Sequence, residues 1–324
     1  MKNYLVTGVA GFIGSALVRA LIERGDRVRG LDDFSTGKPE NIAGLEGKLD
    51  FREGSLLDAA ALADACEGID CVFHEAAIPS VPKSVAEPKR TNDVNVEGTL
   101  NLLIAARDAG VKRVVYAASS SAYGDSEVLP KHEAMIPRPI SPYAVQKLTG
   151  EHYMAVFAGL YGVETVSLRY FNIFGPRQDA NSQYSAVLAK FITLMLQGHS
   201  PTIYGDGEQS RDFTFVDNAV KANLLSAAAP AAEVSGKVFN VATGSRFSLN
   251  QTYQMLQSII GFPGAVQYAP ARAGDIMHSL ADVSLAQKHL GYSPHVGFEE
   301  GLRRTVDWYR QRAQAPSGTA ALAH

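Results

Sequence analysis

The chain has 324 residues, 46% of them hydrophobic and 19% charged, enough apolar material for one large globular domain or two modest ones. A net charge of −3 argues against a general nucleic-acid or membrane-surface binder, so an anionic ligand needs a local site. Two cysteines, Cys66 and Cys71, are too few for a disulfide framework, and no cluster of His, Cys, Asp and Glu has metal-ligand spacing. We therefore expect a reduced, cytoplasmic protein without a metal, and neither a signal peptide nor a membrane helix is predicted.

The first half of the chain alternates short apolar runs with helical patterns. One helix follows the first strand and ends at Gly25, and another begins near Pro142 and runs to about Gly162. Strands that alternate with helices indicate βαβ units with right-handed crossovers, which build a doubly wound parallel sheet of the α/β class, a Rossmann fold. The predicted strands are 4–8, 26–33, 49–55, 70–77, 112–120 and 164–172.

After Asn172 the pattern loosens, which indicates a smaller mixed C-terminal substrate domain. Further helices are predicted near 186–198, 249–261 and 299–312. The predicted organisation is a Rossmann domain at 1–172 with a returning segment near 211–242, a second domain mainly at 173–312, and a flexible tail at 313–324.

Three glycines lie three residues apart in the first strand-to-helix turn: Gly8, Gly11 and Gly14. A tight turn of this kind lets a pyrophosphate approach the backbone, and the following helix offers N–H donors and its positive dipole end. Because a strand precedes the glycines and a helix follows, the motif predicts a dinucleotide site.

A carboxylate stands at the end of the second strand, roughly 20 residues after the glycines, where it can accept hydrogen bonds from the adenosine ribose. A carboxylate there repels a 2′-phosphate, so NAD is favoured over NADP. Asp32 and Asp33 both stand at this position, and either could instead be a turn former; we assign the ribose role to Asp32.

The segment "SPYAVQK" (141–147) places Tyr143 and Lys147 four residues apart, on one face of the predicted helix. The spacing alone is common by chance. Its meaning depends on a set of segments that occur in order along the chain: "TGVAGFIG" (7–14), "HEAA" (74–77), "DVNVEGTLNLL" (93–103), "SSSAYGD" (119–125), "SPYAVQK" and "LRYFNIFGPRQ" (168–178).

With these segments the chain resembles the extended short-chain dehydrogenases/reductases over roughly residues 3–310. The later "YGDGEQSRDFTFVDN" (204–218) is similar to the nucleotide-sugar branch. Within that branch it most resembles the UDP-sugar 4-epimerases, especially those that act on UDP-N-acetylglucosamine (UDP-GlcNAc) and UDP-N-acetylgalactosamine (UDP-GalNAc).

The resemblance implies a catalytic role for the Tyr-x-x-x-Lys pair. Tyr143 would be the general base, and Ser119 or Ser120 the hydrogen-bond partner of the sugar O4, with Ser119 at the family position. A free phenol has a pKa near 10, and a cation within a few ångströms lowers a pKa by ~1–3 units. Lys147 would therefore tune Tyr143 and hold the nicotinamide ribose. A transient 4-keto sugar would be reduced again on its other face, which regenerates NAD.

The resemblance also implies binding residues. Two arginines suit a diphosphate because each guanidinium can make two charge-assisted hydrogen bonds; by themselves, Arg211 could equally pair with Asp212, and Arg272 could be a loop charge. Arg177, Gln178 and Asn181 are weaker candidates for the sugar end. The cofactor set is Gly8, Gly11, Phe12, Ile13, Gly14, Asp32, Ser55, Leu56, Ala76, Asn95, Tyr143 and Lys147. The UDP-sugar set is Ser120, Tyr143, Asn172, Arg211, Arg272, Asp275 and Ser279.

Two positions are read individually. Ser55 stands where the family usually has an aspartate that contacts the adenine amine. A serine there makes an uncharged contact, so we expect weaker NAD binding unless another contact compensates. Asp58, three residues further on, is a candidate for a helix cap. Ser279 stands three residues before Asp282, where epimerases restricted to plain sugars tend to have tyrosine. A small residue leaves room for a 2-acetamido group, although Ser279 could also be an ordinary loop serine.

Other functions stay open. Dehydratases carry an Asp-Glu pair after the serine position, and decarboxylases commonly a glutamate, whereas this chain has Ser120, Ser121 and Ala122. UDP-glucuronate 4-epimerase is the main alternative, with the decarboxylase behind it, and a non-catalytic dinucleotide-binding scaffold is a third class.

The family also implies a homodimer built partly on the helix of Tyr143, whose Tyr153, Met154, Val156 and Phe157 could face a partner or pack on their own sheet.

Overall fold

Thirteen strands are found in the computed structural model, which describes residues 2–180, 187–271 and 276–314. In chain order they are β1 (Asn3–Thr7), β2 (Arg27–Asp32), β3 (Leu49–Glu53), β4 (Cys71–His74), β5 (Arg113–Ser119), β6 (Glu164–Tyr170), β7 (Ile173–Phe174), β8 (Thr202–Tyr204), β9 (Ser210–Arg211), β10 (Thr214–Phe215), β11 (Lys237–Val241), β12 (Phe247–Ser248) and β13 (Gln267–Ala269).

Seven of these strands form one parallel sheet in the order β11-β6-β5-β4-β1-β2-β3. The six strands predicted from the first half of the chain are all present, and the α/β doubly wound fold is confirmed. The seventh strand, β11, comes from the second half of the chain and pairs with β6. The strand order reverses beside β1, and the carboxyl ends of the strands at such a reversal form the crevice where dinucleotides bind.

Helices cover both faces of the sheet, and the three predicted in the second half are present. The predicted tail at 313–324 begins two residues too early, because α12 continues to Gln314; the rest of that tail lies outside the described residues. Within the described ranges, no helix is both long and apolar enough to cross a membrane. The helices are α1 (Phe12–Glu23), α2 (Ala59–Cys66), α3 (Val81–Ala86), α4 (Pro88–Asn92), α5 (Gly98–Asp108), α6 (Pro142–Tyr161), α7 (Val187–Leu196), α8 (Val216–Ala228), α9 (Ala231–Val234), α10 (Leu249–Ile260), α11 (Ser284–Leu290) and α12 (Phe298–Gln314).

The core has two apolar layers, one on each face of the sheet. Strand residues alternate between the layers, so Val6 and Phe73 belong to one cluster and their neighbours Leu5 and Val72 to the other. Both faces of the central strands are covered, which is why β4 and nearly all of β5 are buried along their whole length, whereas the edge strand β3 has no buried residue.

Helix α6 lies unusually close to β5. A Cβ added at Gly150 would lie 2.3 Å from the Tyr116 hydroxyl oxygen, so only glycine permits this approach. Met154 and Phe157 pack in the core on this side, which excludes both from a partner-facing surface. The exposed apolar side of α6 is formed instead by Val145, Val156, Leu160 and Tyr161.

A buried ion pair joins α6 to β6. Arg169 donates to Glu151 from Nε at 2.8 Å and from Nη2 at 2.6 Å, so the two groups form a bidentate pair. Both side chains are at most 4% exposed. The guanidinium carbon also lies 4.6 Å from the centre of the Tyr123 ring. The pair therefore fixes how the helix sits on the sheet.

We expect Glu151→Gln to lower the free energy of unfolding by about 3–5 kcal/mol, because the change leaves the Arg169 charge buried without its counter-charge. Urea denaturation checks this. Glu299→Gln is the matched control, since Glu299 forms an exposed pair with Arg303 one helical turn away and should have no measurable effect. Equal, small effects of both variants would contradict the assignment.

Candidate active site

A cavity of about 630 Å³ opens at the carboxyl edge of the sheet, beside β2 and β3. Its walls come from the loops after β2, β3 and β4 and from the segment of α3 and α4. This is the side of the strand reversal on which the adenosine half of a dinucleotide binds. The lining includes Asp33, Ser35, Ser55, Leu57, Ile78 and Val94.

The glycine-rich turn follows β1 and leads into α1. Gly8 has φ +70°, and a Cβ there would lie 2.7 Å from the Ala76 backbone; a Cβ on Gly14 would lie 2.2 Å from the Gly8 carbonyl oxygen. Side chains are therefore excluded at both positions, and the first turn of α1 stays open to a ligand. This is the shape that a pyrophosphate needs. Phe12 and Ile13 are partly buried and pack on the core from this turn.

Asp32 lies beneath the turn and is only 8% exposed. Its carboxylate accepts from the backbone N–H of Ala10 at 2.9 Å and of Phe34 at 2.8 Å, and burial raises its pKa. Each oxygen keeps a second lone pair, so the predicted ribose contact remains available. Asp33 accepts from the Ser35 N–H at 2.9 Å, as a turn former does, and Asp33 rather than Asp32 lines the cavity.

Ser55 and Leu56 follow β3 and lie in different surroundings. Ser55 lines the cavity, and its hydroxyl oxygen accepts from the Leu57 N–H at 3.3 Å. The Leu56 side chain is 6% exposed and packs in the core, which leaves only its backbone for the predicted cofactor contact. Asp58 accepts from the N–H groups of Ala60 and Ala61, so its prediction as the cap of α2 is confirmed.

The end of β4 and the loop that follows it are held by hydrogen bonds to Thr7 and Thr99. His74 lies between the hydroxyls of Thr7 at 2.8 Å and Thr99 at 3.0 Å, and burial lowers its pKa to about 3, so the ring is neutral. The Ala76 N–H donates to the Thr7 hydroxyl at 3.3 Å.

Asn95 is 1% exposed and lies in a π-helical turn between α4 and α5, an irregularity often found at functional sites. It accepts from the Ile78 N–H at 2.8 Å and donates to Gln146 of α6 at 2.9 Å. These bonds tie the loop after β4 to α6 and give Asn95 a positioning role.

Tyr143 lies in the first turn of α6. Ser141 caps this helix by accepting from the Ala144 N–H, and Pro142 occupies its first position. Ser119, at the end of β5, lies close enough to the Tyr143 hydroxyl to lower the pKa of the phenol. Ser119 also accepts from the Ser121 hydroxyl at 2.9 Å. The structure thus joins Ser119 to Tyr143, with Ser120 half-buried next to it.

Lys147 is 3% exposed, and its Nζ donates to the Ala117 carbonyl at 2.8 Å. The ammonium also lies 4.9 Å from the centre of the Tyr116 ring, a cation–π contact. Burial lowers the pKa of Lys147 to about 8 and raises the pKa of Tyr143 to about 12. In the protein alone, desolvation therefore dominates the pKa of the phenol and the ammonium is directed at the β5 carbonyl, so the tuning of Tyr143 by Lys147 stays a prediction.

The residues predicted to face UDP cluster after β6 and at β9. Asn172 is exposed, has φ +40°, and donates to the Asp212 carbonyl at 3.2 Å. Such backbone strain in a non-glycine residue is common at binding sites. Arg211 donates to the carbonyls of Ser210 at 3.0 Å and Met277 at 3.1 Å. The Asp212 carboxylate is turned to the backbone of Thr243 and other N–H groups, away from a pairing with Arg211.

Ser279 lies in a short strap, residues 277–282, held between two loops. Its N–H donates to the Ser210 carbonyl at 3.0 Å, and the Lys131 N–H donates to the Leu280 carbonyl at 2.7 Å. Ser279 itself is half-buried. Arg272 and Asp275, and the weaker candidate Asn181, lie outside the described residues.

Of the two other weak candidates, Gln178 is 7% exposed and donates to the Ile173 carbonyl, while Arg177 has a buried Nε and faces the charges of Arg19 and Asp217.

One carboxylate in the cleft belongs to the "HEAA" segment, which the resemblance places along the cofactor, but it has no individually predicted role. Glu75, directly after β4, accepts from the Tyr170 hydroxyl at 2.8 Å and is half-buried. The available signal was a charged residue at the end of an apolar strand.

Comparisons with known proteins agree with this geometry. The model of the NAD dependent epimerase/dehydratase family matches residues 4–242. The chain is 38% identical to a UDP-glucose 4-epimerase of Mycolicibacterium smegmatis, over 96% of this chain and 99% of that protein. It is 33% identical to a UDP-glucuronate 4-epimerase of Thermodesulfobacterium geofontis, over 97% and 98%.

Among solved structures, the UDP-N-acetylglucosamine 4-epimerase of Methanobrevibacter ruminantium, in complex with UDP-N-acetylmuramic acid, superposes with a TM-score of 0.91. It is 43% identical, over 96% of this chain and 99% of that chain.

Ser55→Asp should tighten NAD binding roughly tenfold, because a carboxylate on the cavity wall accepts an amine hydrogen bond with charge assistance. Equilibrium binding and the fraction of protein purified with NAD check this. Ser35→Asp is the matched control: it adds the same charge to the same wall in the loop after β2 and should bring no gain. An unchanged affinity of Ser55→Asp would remove the adenine role from this position.

Proposed function

The chain belongs to the NAD dependent epimerase/dehydratase family, and from that premise we propose that it is a 4-epimerase that interconverts UDP-GlcNAc and UDP-GalNAc. UDP-glucose and UDP-galactose would be further substrates. The family assignment makes it an enzyme of the NAD-dependent UDP-sugar epimerases, with NAD as cofactor. The observation that carries the proposal is that Tyr143 lies beside Ser119, which lowers the pKa of the phenol, with the buried Lys147 one helical turn further along the same helix.

The residues at the carboxyl edge fit NAD. The turn at Gly8 and Gly14 has no room for side chains and would hold the pyrophosphate, while Asp32 or Asp33 would bind the adenosine ribose. Lys147 would bind the nicotinamide ribose. Bound NAD supplies a reversible hydride acceptor for C4 of the sugar.

The protein's own part in the reaction is the movement of one proton. The O4 proton passes to the Tyr143 oxygen while C4 is oxidised, and the same proton returns to O4 when C4 is reduced from the other face, so there is no net oxidation. With a pKa of about 12, the phenol is neutral in the protein alone. The Ser119 hydroxyl stabilises the phenolate by donating to it, and the cationic cofactor adds the positive charge that Lys147 alone does not supply.

Substrate choice would depend on the strap that carries Ser279. The hydrogen bonds of this strap to Ser210 and Lys131 keep its backbone in place, so the size of the side chain decides the room beside the sugar. A serine leaves space for a 2-acetamido group. Asn172 and Arg211, with Arg272 and Asp275 outside the described residues, would bind UDP.

A homodimer is part of the proposal. The exposed side of α6 carries Val145, Val156, Leu160 and Tyr161, which are 46–74% exposed. An apolar stripe of this kind on one helix is a feature of association surfaces.

A panel of five substrates tests the function: UDP-GlcNAc, UDP-GalNAc, UDP-glucose, UDP-galactose and UDP-glucuronate, each incubated with the purified protein without added NAD and followed by proton NMR. Convergence of UDP-GlcNAc and UDP-GalNAc on one mixture supports the proposal. Conversion of UDP-glucuronate alone would favour the alternative, for which a relative of that name exists. Conversion of none, even with NAD, would favour a non-catalytic protein.

Tyr143→Phe should lower kcat by about 10²–10⁴, because it removes the group that accepts and returns the O4 proton. NAD content should stay within about twofold of the wild type, which separates lost chemistry from lost cofactor. The buried Tyr116→Phe serves as a control, since the Tyr116 hydroxyl donates to the backbone carbonyl of Lys147 and has no part in the proposed proton transfer. Full activity of Tyr143→Phe would exclude this residue as the base.

Ser279→Tyr should suppress turnover of the N-acetylated sugars at least tenfold and spare UDP-galactose, because a large ring fills the space of the acetamido group. The ratio of kcat/KM for UDP-GalNAc and UDP-galactose is the measurement. Ser279→Ala is the control and should keep both activities. Intact N-acetyl turnover in Ser279→Tyr would mean that size is decided elsewhere.

A further inference from the structure

Glu75 is a half-buried carboxylate in the cleft that no step of the proposed reaction uses. Its Oε1 accepts from the Tyr170 hydroxyl at 2.8 Å, and that hydroxyl accepts from Asn223 of α8 at 2.6 Å. A carboxylate is costly to remove from water unless something nearby favours its charge. The hydrogen bond from Tyr170 favours the carboxylate. A neutral glutamine at this position could accept the same bond equally well, so the bond does not explain why the residue carries a charge.

The position of Glu75 places its carboxylate on the nicotinamide half of the proposed cofactor site, not on the adenosine half. Glu75 follows β4 and is hydrogen-bonded to Tyr170 at the end of β6, and β5, which ends at Ser119, lies between these two strands in the sheet. The adenosine cavity lies on the other side of β1, beside β2 and β3. A dinucleotide that crosses the glycine-rich turn therefore has its nicotinamide half on the side of Glu75.

The other charges near Glu75 are few. From α6, Lys147 attracts it, but the ammonium donates its hydrogen bond to the Ala117 carbonyl. From β6 and α8 the neighbours are the neutral groups of Tyr170 and Asn223, and His74 beside it is neutral because burial lowers its pKa to about 3. Burial raises the pKa of Glu75 itself to about 7. A further cation in the cleft would stabilise the carboxylate.

We propose that the Glu75 carboxylate makes the cofactor site bind NAD⁺ more tightly than NADH, and so keeps the bound cofactor oxidised between turnovers. The inference rests on the proposed cofactor site. The nicotinamide ring is cationic in NAD⁺ and neutral in NADH, so a carboxylate on the nicotinamide side stabilises one form and not the other. The charge, and not the hydrogen bond to Tyr170, carries this effect.

The preference should depend on pH with a defined sign. A cation stabilises the ionised carboxylate, so the pKa of Glu75 is lower with NAD⁺ bound than with NADH bound. As the pH falls through about 7, Glu75 takes up a proton and the preference for NAD⁺ weakens. Lys147, with a pKa of about 8, stays protonated below that pH, and burial holds the pKa of Tyr170 well above 10.

The test uses the purified protein equilibrated with defined mixtures of NAD⁺ and NADH in the absence of sugar. After rapid gel filtration, the two bound forms are quantified, and the bound ratio divided by the free ratio gives the relative affinity. At pH 8, Glu75→Gln should lower the preference for NAD⁺ about tenfold, or 1.4 kcal/mol. Glutamine keeps an acceptor for Tyr170, so a purely structural role predicts no change.

Asp33→Asn is the matched control, because it removes a carboxylate from the adenosine end of the same cleft; it should change both affinities together and leave their ratio within about twofold. The pH dependence gives a second measurement: the preference of the wild type for NAD⁺ should fall several-fold from pH 8 to pH 6, and this fall should be smaller in Glu75→Gln, which keeps only the titration of Lys147. A change below threefold in Glu75→Gln, or a flat pH series, overturns the inference. A wild type that binds neither form overturns the cofactor site itself.

Discussion

The site depends on the docking of α6 against the ends of β5 and β6. Three successive features of one helix face make this contact: the Lys147 ammonium on the Ala117 carbonyl, Gly150 against Tyr116, and Glu151 paired with Arg169. The hydrogen bond and the ion pair would be lost if α6 lay farther from the strands, and Gly150 is what allows the helix to come this close. Because they are buried together, they set the height and rotation of the helix, and Tyr143 one turn earlier is thereby brought to Ser119.

Burial also decides the charge state of the site. In the protein alone the pKa of Tyr143 is raised to about 12, that of Lys147 is lowered to about 8, and that of Glu75 is raised to about 7. All three shifts disfavour the charged form, since the cleft is desolvated before any ligand enters. A positively charged cofactor reverses this tendency for the phenol and the carboxylate at once, so the cofactor completes the electrostatics of the site as well as supplying its redox chemistry.

The same docking extends to the substrate side through buried polar groups. Tyr123 packs on the Arg169 guanidinium, and its hydroxyl donates to Asn240 of β11 at 2.7 Å. Asn240 in turn donates to the carbonyl of Lys131, in a segment that holds the strap of Ser279, and to the carbonyl of Asp282, the last residue of that strap. One continuous network thus connects the helix that carries Tyr143, the proposed base, with the segment that we propose selects the sugar.

The sequence by itself determined the doubly wound sheet, the glycine-rich turn and the Tyr143–Lys147 face, because these follow from local periodicity and from residues a few positions apart. The cap at Asp58 was also readable, since its bonds run two or three residues along the chain. Only the tertiary structure decided that Met154 faces the core, and which neighbours surround Glu75 and Tyr143. The Glu75–Tyr170 bond joins residues 95 positions apart, and desolvation of Tyr143 arises from several elements packed together. Such effects depend on which distant segments exclude water from a group, and no local pattern encodes that.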